Sequence, residues 1–89
     1  MKKQLLVFHP HTSTPFLVEY SGKEPLLGLL QALVGGYVEV HTVQWHGINR
    51  FMFVNEDGLR LKLPLNEVAT RAASGVAYVG VAVIDLGRS

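Results

Sequence analysis

The chain has 89 residues, of which 48% are hydrophobic and only 17% charged, with eight basic side chains against seven acidic ones. That length makes one domain, residues 1–89, and a formal charge of +1 argues against the basic stripe that nucleic-acid binding requires. Its lack of cysteine excludes disulfides, thiol catalysis, iron–sulfur ligation and Cys-based zinc sites.

In chain order, residues 4–8 read as a short apolar strand, and the Pro- and hydroxyl-rich stretch 9–15 as a turn. Residues 16–20 read as a second strand that pairs with the first as a hairpin, with Phe16, Val18 and Tyr20 on one face. Ser21 and Glu24 fit a capping box ahead of a helix over 23–34. Leu26, Leu29, Leu30, Leu33 and Val34 give that helix its apolar stripe, and Gly35-Gly36 ends it.

Alternation over 37–43 gives a strand, and Gly47 is the tip of the polar connection that follows. Strands are then expected over 50–54 and 59–63, joined through the turn Asn55-Glu56-Asp57-Gly58, as a three-stranded meander ended by Pro64. Asn66 is a natural N-cap for a short helix over 67–73, stopped by Ser74-Gly75. Residues 76–86 are apolar on both faces, as a central strand is, and in so small a domain a second subunit could supply one of the two covers. The order β-β-α-β-β-β-α-β predicts an α+β domain with a mixed or antiparallel sheet of about five to six strands and two helices.

A small domain has proportionally more surface to clothe in polar groups, so this apolar composition predicts a homo-oligomer or a partner. Lys2 and Lys3 precede an apolar run too short for a signal peptide. The longest uncharged stretches, 25–38 and 72–84, fall below the ~18 residues a membrane span needs. A cytoplasmic protein with no membrane association is the expectation.

The candidates for chemistry are few. His9 and His11, with His41, are weak candidates for a metal site, because zinc wants three or four such ligands and Pro10 breaks the strand between the first two. Glu39 and His41 share a strand face as an acid–base pair would, yet no nucleophile elbow or paired-carboxylate motif accompanies them, so no enzyme and no cofactor are expected. The better candidates are for binding. Asn66, Thr70 and Arg71 lie at or near the start of the second helix, Tyr37 and Trp45 offer stacking faces, and Arg50 and Arg60 offer forks for a phosphate or carboxylate.

Three segments and a closing pair carry a resemblance. They are Leu30-Gln31-Ala32-Leu33-Val34-Gly35-Gly36-Tyr37-Val38-Glu39-Val40, then Val54-Asn55-Glu56-Asp57-Gly58, then Leu63-Pro64-Leu65-Asn66-Glu67-Val68-Ala69-Thr70, and Val79-Gly80. In this order they resemble a family of short proteins, a domain of unknown function, found mainly in bacteriophages, prophages and mobile elements. The resemblance implies a non-catalytic accessory protein, in a counter-defence setting, that sequesters a nucleotide-type small molecule or inhibits a host defence protein. A nucleic-acid-associated regulator is the alternative, and a small metal-dependent hydrolase a further one.

Overall fold

Among the residues described by the computed structural model, 2–23, 25–73 and 77–88, five strands and two helices form. These are β1 (Lys3–Phe8), β2 (Phe16–Tyr20), α1 (Leu26–Val34), β3 (Val38–Trp45), β4 (Ile48–Asn55), α2 (Glu67–Ala72) and β5 (Ala82–Arg88). The strands make one antiparallel sheet in the order β2-β1-β5-β4-β3. The expected α+β class and the β1–β2 hairpin are both present.

Alternation divides the sheet into two apolar faces. On one, Leu5, Val7 and Val83 pack with Leu30 and Val34 of α1, and Leu26, Leu29 and Leu33 complete the helical stripe. On the other, Leu6, Phe8, Met52, Val54, Ala82 and Ile84 pack with Ala69 and Ala73 of the α2 region and with Tyr78. Since each fully buried Leu, Ile or Phe is worth about 1.5–3 kcal/mol, the two layers together supply the drive that replaces disulfides. Strand β5 is central, as its two-sided apolarity predicts, and both of its covers come from this same chain rather than from a second subunit.

Helix α1 starts later than the periodicity predicts. Its N-cap is Pro25, with no side-chain cap, and Glu24 of the expected capping box lies outside the described residues. Its end is as expected: Gly35 takes φ 81°, and its N–H donates to the Gln31 carbonyl at 2.9 Å. Asn66 caps α2 through its side chain, accepting from the Ala69 N–H at 3.1 Å; the expected stop at Ser74-Gly75 lies outside the described residues. Strands β3 and β4 run two residues further toward each other than alternation predicts, because His46-Gly47 alone turns the chain with both φ values positive (50° and 78°).

Two strand expectations fail, each for its own reason. Residues 59–63 are a run of turns, in which the N–H groups of Leu61, Lys62 and Leu63 donate to the Asp57, Leu59 and Gly58 carbonyls at 2.8–3.1 Å. A strand has only two hydrogen-bonding edges; β4 gives one to β3 and the other to β5, so no third meander strand can join it. The last strand begins at Ala82 rather than near residue 76, which lies outside the described residues. Before it, Gly80 turns the chain at φ 73°, and a Cβ there would stand 2.7 Å from Leu63 Cδ1.

Candidate ligand-binding site

Helix α1 covers only one end of its sheet face. At the other end, four strands present Lys3, Asp85, Phe51 and Thr42 side by side, and these line a cavity of about 350 Å³ together with Asn49, Arg50 and Gly87. The placement follows from strand alternation: Phe51 pairs with Thr42 across β3–β4, and a bulge in the β1–β5 register brings Lys3 within reach of Asp85.

The charges in this wall are unevenly satisfied. Lys3 Nζ donates to Asp85 Oδ2 at 2.7 Å, and the Gly87 N–H donates to the other carboxylate oxygen at 2.7 Å. Asp85 is thereby neutralised. Arg50 instead spends one Nη donor on the Leu86 carbonyl, at 2.7 Å, and among the described residues it pairs with no carboxylate. Its Nε is buried with no partner among the described residues. Such a donor costs about 1–3 kcal/mol while unsatisfied. Phe51 presents its ring to solvent beside it, 56% exposed. The Thr42 hydroxyl and the Asn49 amide are the neutral hydrogen-bonding groups of the same wall; Asn49 Oδ1 already accepts from Gln44 at 2.6 Å.

A second, smaller cavity of about 130 Å³ is lined by His41, Asn55, Glu56 and Tyr78. His41 Nε2 and Glu39 Oε2 lie 2.5 Å apart, and the His41 ring meets Tyr78 edge-on at 5.3 Å. Burial pushes the Tyr78 phenol above its ordinary value of 10.0, and the Glu39 carboxylate adds to the shift. A third cavity, about 220 Å³, lies between the β1–β2 turn and α2, lined by His11, Ser13, Glu67 and Arg71.

The residues expected to bind a ligand are thus dispersed. Arg50 lies in the cavity of about 350 Å³ and Arg71 in the third. Tyr37 is 69% exposed, Arg60 is an exposed partner of Asp57, and Trp45 packs edge-on against Phe8 at 5.6 Å. Asn66 is fully buried with its polar atoms engaged: Nδ2 donates to the Phe8 and Gly80 carbonyls at 2.8 and 2.9 Å. Thr70 accepts from the Tyr78 N–H at 3.0 Å. Both are structural ties. His9 and His11 stand together in the β1–β2 turn, with ring centroids 5.4 Å apart, while His41 belongs to the Glu39 pair. Among the described residues, no three His, Asp or Glu side chains gather as a metal site would need.

The sequence pattern of one family, a domain of unknown function (DUF3846), matches residues 1–85. The chain belongs to that family. No curated protein and no solved structure matches it. The segments that carried the resemblance turn out to be clasps. Asn55 Nδ2 donates to the Val34 carbonyl at 3.2 Å, and a Cβ on Gly36 would come within 2.9 Å of that same nitrogen. Pro64 and Asn66 grip Gly80 from both sides: the Gly80 N–H donates to the Pro64 carbonyl at 2.7 Å, and its carbonyl accepts from Asn66. The motif residues hold the fold, and the cavity beside Phe51 lies elsewhere. Phe51 was the functional candidate that sequence reading missed. In the sequence it is one of two Phe in a strand, and nothing local says that α1 stops short of it.

Proposed function

We propose that this protein binds a small anionic ligand of the nucleotide type without transforming it. In this reading it serves a phage or mobile element inside the host cell, by sequestering a signal that would otherwise trigger defence. One observation carries the reading: an arginine with no carboxylate partner among the described residues and an exposed aromatic ring line the same cavity. Arg50 supplies planar donors for a phosphate, and Phe51 a face on which a base can stack. The volume of about 350 Å³ sits at the small end of the ~300–1,000 Å³ range of ligand sites, so a mononucleotide-sized ligand fits better than a larger one. No described helix is long and apolar enough to cross a membrane.

Calorimetric titration with nucleoside monophosphates, cyclic dinucleotides and inorganic phosphate tests the proposal. A nucleotide is expected to bind more tightly than phosphate, and Phe51→Ala to weaken it by about tenfold or more, the size of one lost base-stacking contact. Absence of heat with every nucleotide at high-micromolar concentration sinks the reading. Phosphate binding as tightly as any nucleotide removes its aromatic half.

A further inference from the structure

We propose that β3 is a dimerisation edge: two copies pair β3 against β3, antiparallel, about a two-fold axis at Val40. The pairing joins two five-stranded sheets into one continuous sheet and does not depend on any ligand.

Strand β3 is the outer strand beyond β4. The Tyr37 carbonyl accepts from the Glu56 N–H at 2.8 Å, and the ladder runs in unbroken register from there to the pair Trp45–Ile48. Odd-numbered residues therefore turn their backbone groups toward β4, while those of Val38, Val40, Thr42 and Gln44 face outward. Protein edges are normally blunted by proline, lysine, a bulge or shortness. Across its eight residues β3 has none of these. The opposite edge, β2, is only five residues long and starts directly after Pro15. On the β3 edge itself Val40 is more than half exposed, an apolar side chain that a partner strand would cover.

Charge selects the register. Two-fold pairings that use the outward groups include those centred on Val40, His41 and Thr42. Centring on His41 sets two imidazoles opposite each other, and centring on Thr42 sets Glu39 opposite Trp45 of the partner subunit. Centring on Val40 sets Glu39 opposite the partner's His41 twice over, and Val40 opposite the partner's Val40. It also lays the exposed Tyr37 against the partner's Val43. Opposite charges and apolar pairs directly across a ladder stabilise it, and like groups across it do not. Within one strand Glu39 and His41 already meet, so the dimer alternates two carboxylates with two imidazoles on one face.

Light scattering on the intact protein, from low to high micromolar concentration, is the first test. The expected mass is twice that of the 9.8 kDa chain, falling to the single-chain value in Val40→Lys. Register is tested by cross-linking, since the chain has no cysteine of its own. Val40→Cys places two sulfur-bearing residues opposite each other, with Cα atoms about 5.5 Å apart, within disulfide reach. Thr42→Cys faces the partner's Val38 and stands about 13 Å from its own copy, at the rise of a strand. Oxidation is expected to link the first variant and not the second. A single-chain mass for the wild type, an undiminished mass for Val40→Lys, or equal linking of both cysteine variants would each overturn the proposal.

Discussion

The two faces of the sheet are built from the same alternating strands, yet one is closed and the other is left half open. On the α2 face, a helix of only six residues suffices, because Asn66 caps it at Ala69 and fastens its start to β1 and to the Gly80 turn by two further side-chain hydrogen bonds. The helix is thereby held over Phe8, Met52 and Ile84, all essentially inaccessible. On the α1 face, a longer helix carries a stronger apolar stripe, but it lies toward one end and leaves Phe51, Thr42 and Lys3 beyond it. The amount of helix does not decide coverage. Where its ends are tied does: Asn66 ties the start of α2 to two other segments, whereas Asn55 ties α1 only at its C-terminal end, through the Val34 carbonyl.

The comparison can be broken most sharply at Asn66. Replacing it with Ala strands two buried carbonyls and one helix N–H, and the loss should be about 3 kcal/mol or more in urea unfolding. A loss under about 1 kcal/mol, the size of an ordinary exposed cap, would mean that the latch does not hold the closed face.

A matched pair of truncations comes next. Ile84→Ala, inside the closed face, should cost about 2–5 kcal/mol, since it opens a cavity among fully buried neighbours. Phe51→Ala, on the open face, should stay within about 0.5 kcal/mol of the parent, although it removes more carbon. Equal losses in the two variants would erase the distinction between the faces.

The smallest expected effect sharpens the comparison at the rim of the closed face. Tyr78 is buried against His41, and its folded pKa lies above the unfolded value of 10.0. The folded state then keeps its proton where the unfolded state has lost it. The resulting stability is complete below pH 10 and declines as the pH rises through the folded pKa. Ultraviolet titration should show one of the three tyrosines ionising later than the others, and Tyr78→Phe should abolish that late step. A single uniform transition would contradict the burial.

Much of this architecture could be read in advance where the cause is local. The stripe Leu26, Leu29, Leu30, Leu33 and Val34 forms the inner face of α1, because the helical repeat alone brings those positions together. Gly35 caps α1 for its freedom at positive φ, and Asn66 caps α2 through its short acceptor side chain. The two-sided apolarity before the C-terminal end marked β5 as central, and it lies between β1 and β4.

Local pattern misled where the outcome depends on who else is present. Leu59, Leu61 and Leu63 alternate as a strand would, yet both edges of β4 are already occupied, and Leu59 stands 82% exposed in a turn. Asn66 and Thr70 looked like ligand donors because their polar groups are visible in the sequence; their partners, Phe8, Gly80 and Tyr78, lie 8 to 58 positions away. The same holds for the candidate site. Arg50 could be named from its chemistry alone, but its lack of a carboxylate partner among the described residues, and the meeting of Phe51 with Lys3 and Asp85, arise from strands distant in the chain. By itself, the sequence determined the apolar faces, the caps and the absence of thiol chemistry, since each depends on residues within a turn or two. Only the tertiary structure decided which strand edges are taken, which polar groups are spent and where a helix stops short of its sheet, because hydrogen-bonding capacity and covered surface are allotted across the whole molecule.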